Sequence, residues 1–271
     1  WRLYNDTMIE TPLRRCTMAD TNTQSAGTKK PGMSSYTLKM IAIIAMLIDH
    51  IGWAFIPTNT VLGQIMHAIG RLTAPIMCYF IAEGYYHTRN AKKYALRLLV
   101  FALISHAPFY YFMTGELPFP FSPNLRIPIE TSVMYSLFLG LLSLIVWHSE
   151  KLGDVARLSI IFLLCVLAIP GDWGPTAVLW IFLFGINHNN FKQQMLAFSI
   201  VAVPIAFSFL VMLISGYDTW YEQLFQMGIY LSIPLLARYN GERGGGKWSK
   251  WFFYVFYPLH LVILGLIKYR F

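Results

Sequence analysis

Charge is scarce in this chain. Only 13% of its 271 residues are charged, about half the share of an ordinary soluble domain, which excludes a water-facing surface over most of its length. Cysteine is scarcer still. Cys16, Cys78 and Cys165 are scattered, and no CxxC pair or Cys/His cluster has metal-ligand spacing, so no metal is assigned. Cys78 and Cys165 lie inside apolar runs, where a small hydrophobic role is expected. A P-loop is missing too: the glycines of "GERGGGKW" (241–248) lack the longer spacing and the Ser or Thr after Lys that such a loop needs. The formal net charge of +8 does not imply nucleic acid, because the cations lie between apolar runs and form no basic, aromatic-interleaved domain. No internal repeat and no cleavable signal peptide is evident, since the first long apolar run leads into further ones.

What the chain has is apolar length. Hydrophobic residues make up 56% of it and the mean hydropathy is +0.50. Apolar segments at about 37–56, 62–86, 94–113, 130–148, 155–170, 175–187, 193–214, 221–238 and 250–267 predict an all-α, polytopic transmembrane helical bundle of about nine spans. Several fall short of the ~20 residues of a full span and are expected to be broken or sheltered by neighbours. Residues 1–35 differ from the rest. Their stretch "ADTNTQSAGTKKPG" reads as a flexible polar leader, and "MSSYTLKM" from Met33 looks like a bacterial-style start. Much of 1–32 is therefore expected to be an added or unfolded leader, and 36–271 a single integral-membrane domain.

The cations set an orientation. Lys29, Lys30 and Lys39 precede or open the first span; Arg89, Lys92, Lys93 and Arg97 follow the second; Lys151 and Arg157 follow the fourth. Lys192 follows the sixth, and Arg238, Arg243, Lys247 and Lys250 follow the eighth, whereas the opposite face has Arg126 before Lys268 and Arg270 at the end. The positive-inside rule then places the N-terminus in the cytoplasm and, with nine spans, the C-terminus outside.

"MLIDHIGWAF" (46–55) sets two adjacent ionisable residues, Asp49 and His50, inside an apolar run. Burying either in lipid costs several kcal/mol unless it is paired or put to use. His50 sits ~20 Å into the first helix, toward the outer side of a ~30 Å core, and Arg71 in "AIGRLTAPI" and His260 in "FYPLHLVIL" lie near mid-depth of their spans, so the four residues are expected to share one buried layer. Arg71 cannot shed its proton and needs an anion, for which Asp49 is the internal candidate. The plainer reading is a structural Asp49–Arg71 pair. The functional one makes His50 a general base and Arg71 a clamp for negative charge. Neighbours on a helix point ~100° apart, so Asp49 and His50 are expected to serve different partners.

At the predicted inner end, "IAEGYYHTRNAKKYALR" combines Glu83, His87, Arg89, Lys92 and Lys93. Glu83 and His87 are i,i+4 neighbours placed to pair. The cations are either an inside-loop signal or a pocket for an anionic co-substrate such as the phosphates of coenzyme A, with Gly84 allowing close backbone approach. "PGDWGPTAV" (170–178) reads as a short outer turn lining a mouth, and "NHNNF" (187–191) as a turn.

"LKMIAIIAMLIDHIG", "IGRLTAPIMCYFIAEGYYHTRNAKKYALRLLVFALIS" and "WFFYVFYPLHLVIL" together resemble the TraX-like membrane proteins, themselves similar to the broader integral-membrane acyltransferases. The resemblance covers most of the chain after Met33, with the DH, GR-x-x-x-P and EG-x-x-HTRN elements in order. It implies transfer of an acetyl group from cytoplasmic acetyl-CoA in a bacterial inner membrane. His50 matches the position of the essential histidine of the broader group, and Arg71 and Arg89 are the nearest arginine matches, at a different spacing. Where the TraX-like pattern has an acidic or amide residue before "PF", this chain has His106, in "ISHAPF".

The leading expectation is thus a membrane O- or N-acyltransferase. His50 would deprotonate the acceptor, Arg71 or His260 would stabilise the oxyanion or leaving thiolate, and Asp49 would hold Arg71 or tune His50. Direct transfer and an acyl-histidine intermediate both stay open. The acceptor is a pilin, a glycan, a lipid or a small molecule. A transporter with an Asp-His-Arg pathway and a noncatalytic assembly subunit are the alternatives.

Overall fold

Capping residues and prolines set the helix ends. The side-chain oxygens of Ser34, Thr60, Asn90 and Asn190 accept from the backbone N–H groups of Thr37, Gly63, Lys93 and Gln193, supplying partners that the first turn of each helix lacks. Gly115, at φ 76°, closes the fourth helix in a left-handed conformation that glycine adopts without a Cβ penalty. Pro75 has no N–H to offer the Arg71 carbonyl four residues back, and its ring crowds that carbonyl, so the second apolar segment breaks at 71–72. The GR-x-x-x-P spacing therefore puts Arg71 at a helix break inside the membrane.

The computed structural model describes residues 31–118, 130–246 and 249–270. The polar leader through residue 30 lies outside them, as do Lys29, Lys30, Arg126 and Lys247. From Gly32 the chain forms one compact unit. Its elements are α1 (Ser35–Phe55), α2 (Val61–Gly70), α3 (Thr73–His87), α4 (Ala91–Thr114), α5 (Val133–Trp147) and α6 (Asp154–Leu167). They continue with α7 (Gly174–Ile186), α8 (Phe191–Ala206), α9 (Ser208–Ile214), a 3-10 segment (Trp220–Leu231), α10 (Ser232–Leu236) and α11 (Ser249–Arg270). The described residues contain no strand, only two isolated bridges.

Five stretches among the described residues are long and apolar enough to cross a membrane: Ser35–Phe55, Val61–His87, Ala91–Thr114, Phe191–Ile214 and Trp251–Arg270. The expected segments 130–148 and 175–187 are shorter apolar helices, and 221–238 is a 3-10 segment running into α10 rather than one α-helix. Helix α7 is sheltered, with Trp180, Ile181 and Phe184 fully buried.

Six helices pack in the order α1, α3, α7, α5, α4, α11 and back to α1, closing a ring. Helix α6 covers α5 and α7, while α2, α8 and α9 gather around the 3-10 segment. Two backbone clips pin opposite ends. Met33 N–H donates to Arg238 O (2.7 Å) and Asn240 N–H to Met33 O (3.0 Å), holding the 238–243 loop against the start of α1. Thr131 N–H donates to Pro170 O (2.7 Å) and Asp172 N–H to Thr131 O (2.8 Å), fixing the turn before α7.

Candidate functional site

The α1–α2 contact is built on small residues. A Cβ at Gly70 would overlap the Asp49 side chain and one at Gly52 would crowd the His67 ring, so the two glycines let the helices close on a polar cluster. Asp49 is 8% exposed and uses both carboxylate oxygens. His67 Nδ1–H donates to Oδ1 (2.8 Å), and the Arg71 guanidinium meets Oδ2 at 3.3 Å. Arg71 also reaches Gln226 Oε1 (3.4 Å) and lies over the rings of Trp173 and Phe225 at 4.9 and 5.1 Å. The Asp49–Arg71 pair inferred from the sequence is present.

His67 is not among the residues expected from the sequence, yet it is fully buried, packed 4.3 Å from the Trp53 ring centre, and holds Asp49 more closely than Arg71 does. The available signal was its i,i+4 spacing from Arg71 on one face of an apolar helix.

His50 faces elsewhere, as the ~100° step between helical neighbours requires. Its Nδ1 lies 2.9 Å from the Met46 carbonyl oxygen and 3.1 Å from His260 Nε2. His260 Nδ1 in turn lies 2.9 Å from Phe256 O. A carbonyl oxygen only accepts, so each Nδ1 carries the hydrogen. His50 Nδ1–H is then shared between Met46 O and His260 Nε2, which accepts, so the His260 ring is neutral. In the neutral ring His50 Nε2 keeps its lone pair, the atom a general base needs.

A cavity of about 240 Å³ opens on this cluster, lined by Asp49, His50, Arg71, Asp172 and Trp173 and otherwise mostly by apolar side chains such as Met46, Phe109 and Phe112. His260 does not line it; it stands behind His50. Asp172 and Trp173, read from sequence only as part of an outer turn, are brought in by the Thr131 clip. Burial pushes the Asp172 carboxyl up from the usual carboxylate range to about 6; Arg71 opposes the rise, and the charge of Asp49 adds to it.

A second cavity, of about 330 Å³, lies toward the start of α1 and is lined by Lys39, Glu83, His87, Arg97, Tyr239 and Arg243 among others. Of the five residues expected there, Glu83 and His87 line it, while Arg89, Lys92 and Lys93 are exposed outside it. Glu83 and His87 do not pair through their side chains. His87 Nδ1–H donates to the Glu83 backbone carbonyl (2.8 Å), and the Glu83 carboxylate meets His188 Nε2 at 3.3 Å. Three cations from distant parts of the chain converge instead: Lys39, Arg97 and Arg243. None of the three forms an ion pair among the described residues, and Arg97 Nε is buried without a hydrogen-bond partner. Burial raises the Tyr239 phenol, with the Glu83 charge adding, which keeps its O–H protonated beside these cations. The two cavities share four wall residues, Met77, Met134, Leu137 and Phe253. Among the described residues no group of three or more His, Cys, Asp or Glu is placed to hold a metal ion. His106 lies apart from both cavities, 3.1 Å from Thr131 Oγ1.

Comparison with known proteins decides the family. Residues 34–268 match the TraX protein family. The chain belongs to the TraX family. This TraX family member is 31% identical over 236 residues to the probable fimbrial assembly protein FimC, serogroup H1, of Dichelobacter nodosus, covering 87% of the chain and 96% of that protein. It is also 37% identical over 67 residues to the uncharacterized protein RP591 of Rickettsia prowazekii (strain Madrid E), covering 25% of the chain and 23% of that protein. No solved structure matches this TraX family member.

Proposed function

We propose that this TraX family member is a membrane acyltransferase that moves an acetyl group from cytoplasmic acetyl-CoA to an amine or hydroxyl acceptor. One observation carries the reading: a cationic cavity and the cavity lined by the His50 imidazole adjoin, sharing four apolar wall residues. Three cations without ion-paired carboxylates and a buried, unpartnered Arg97 Nε fit the phosphates of coenzyme A, for which Lys39, Arg97 and Arg243 form the hold, with Glu83 and His87 at its wall. The thioester supplies an activated acyl carbon. His50 Nε2 takes the acceptor proton, and Arg71, already charged and stacked between aromatic faces, offers positive potential beside the reacting centre. Asp49 holds Arg71 and His67 in place. The exposed Arg89, Lys92 and Lys93 add long-range attraction for an anion rather than direct contacts. The name of the fimbrial relative favours a pilus subunit as acceptor over a glycan or a small molecule.

The cation assignment is tested by binding. Lys39→Met combined with Arg243→Gln is expected to weaken acetyl-CoA binding by roughly tenfold or more, as expected for loss of charge-assisted hydrogen bonds. Arg89→Gln with Lys93→Gln should give a smaller loss that vanishes at high salt, where exposed charges are screened. Unchanged affinity in the first double variant, by calorimetry on detergent-purified protein, contradicts the site.

The proposal also orients the protein in a bacterial inner membrane with its N-terminus inside, so that the cationic cavity faces the cytoplasm. Single cysteines placed after residues 90 and 245 should resist a membrane-impermeant thiol reagent in intact cells. Labelling of either from outside would reverse the map.

A further inference from the structure

His50 has an unusual partner at Nδ1. A histidine acting as base is commonly steadied by a carboxylate there, but the neighbouring Asp49 spends both oxygens on His67 and Arg71. The group at hydrogen-bond distance besides the helix carbonyl is a second neutral imidazole, His260, 5% exposed and held by its own Nδ1–H on Phe256 O. The rings sit 4.9 Å apart, with Phe112 of α4 edge-on to His50 at 5.3 Å and Phe256 stacked on His260 at 5.1 Å. A full imidazolium confined to His50 would be costly in such apolar surroundings. A base with its lone pair on the same hydrogen bond lowers that cost by accepting the proton.

We propose that His260 is the proton-accepting partner of His50, a positioning residue that draws the charge away from the reacting centre through the His50 Nδ1–His260 Nε2 hydrogen bond. The inference rests on the acyl-transfer reading above. As the acceptor heteroatom bonds to the acyl carbon, its proton goes to His50 Nε2, and the His50 Nδ1 proton passes to His260 Nε2. When the carbon–sulfur bond breaks, the leaving thiolate takes the proton from His50 Nε2 and His260 returns its proton to His50 Nδ1. One proton has moved from acceptor to sulfur, and both imidazoles regain their starting tautomers. The other ionisable groups around the pair are Asp49 on α1, His67 and Arg71 from α2 and its break, Asp172 from the turn before α7, Tyr257 on α11, and Lys268, whose Nζ lies 5.2 Å from the Phe112 ring centre.

Two readouts test this, one of them independent of turnover. His260→Gln keeps an acceptor for the His50 N–H but cannot take the proton, so kcat should fall about 10²-fold, within the range of a proton-transfer contribution. KM for acetyl-CoA should stay within about twofold, because ground-state binding is untouched. In His260→Ala, added imidazole should restore rate, and pyrazole, a much weaker base of similar size, should not. Wild-type kcat in the Gln variant, or equal rescue by pyrazole, overturns the proposal and leaves His260 a structural residue. Nitrogen-15 histidine spectra of the unliganded protein, assigned with His50→Asn and His260→Gln, supply the second readout. Both rings should be Nδ1–H tautomers at neutral pH, and on acidification the pair should take up one proton with both rings shifting together. An Nε2–H tautomer on either ring, or titration of His50 with His260 unchanged, overturns the proposal even if the variants are inactive for other reasons. A wild-type protein without acyl transfer, but with the coupled spectrum, would instead defeat the acyltransferase reading and leave the proton-sharing pair standing.

Discussion

His50→Ala is expected to reduce acyl transfer by about 10³-fold or more, since it removes the general base that takes the acceptor proton. The loss should fall on kcat and not on binding of acetyl-CoA. The cationic cavity is lined by side chains other than His50 and shares with the His50 cavity the wall residues Met77, Met134, Leu137 and Phe253. Folding should be nearly unaffected. The imidazole makes no ion pair among the described residues, its Nδ1–H bonds a helix carbonyl already satisfied within α1, and removing it frees His260 Nε2 only as an acceptor. The check is a thermal-stability profile in detergent beside initial rates at saturating acetyl-CoA. Full activity in a well-folded variant would remove His50 from the mechanism.

Asp49→Ala is expected to do the opposite, damaging the fold first. Both carboxylate oxygens are occupied, and the partners they leave behind are a fully buried His67 and an Arg71 that cannot lose its proton. Removing one member of a buried ionic cluster typically costs about 3–5 kcal/mol, because the remaining charge stays buried without an anion. Cooperative unfolding in detergent and SDS should shift by an amount of that order. Asp49→Asn, which keeps one acceptor oxygen but loses the charge, should fall between. Arg71→Met in the Asp49→Asn background should recover part of the loss, since it removes the stranded cation. No recovery in that double variant would show that the pair contributes little to stability.

The sequence made one part of this site readable for a simple reason. Ionisable residues inside apolar runs stand out, and Asp49, His50, Arg71 and His260 are such residues; the ring of helices brings them together as two contacting pairs. The break at Arg71 was not read from the 62–86 segment, although Pro75 lies four residues on. The residues that were missed depend on tertiary placement. Asp172 and Trp173 reach the cavity through a turn before α7 that the Thr131 backbone and the Ser136 hydroxyl hold in place. The cationic cavity shows the limit of local density as a guide. Arg89, Lys92 and Lys93 form the densest cation cluster in the chain but remain exposed, whereas Lys39, Arg97 and Arg243 converge from three separate segments once the 238–243 loop is hydrogen-bonded to the start of α1. The expected spans fared similarly. Apolar length located the helices, but the breaks at 71–72 and at Phe207, and the 3-10 turn geometry from Trp220, reflect prolines and packing that hydropathy does not report.

The central claim is that acetyl-CoA gives up its acetyl group at His50. The most direct measurement is incubation of purified wild-type protein and its His50→Ala variant with acetyl-CoA labelled in the acetyl group, in the presence of membrane extract as acceptor source. The account predicts saturable binding to both proteins, with release of free coenzyme A and movement of label to acceptor or water only by the wild type. Absence of binding at millimolar acetyl-CoA, or equal turnover by the two proteins, would contradict it.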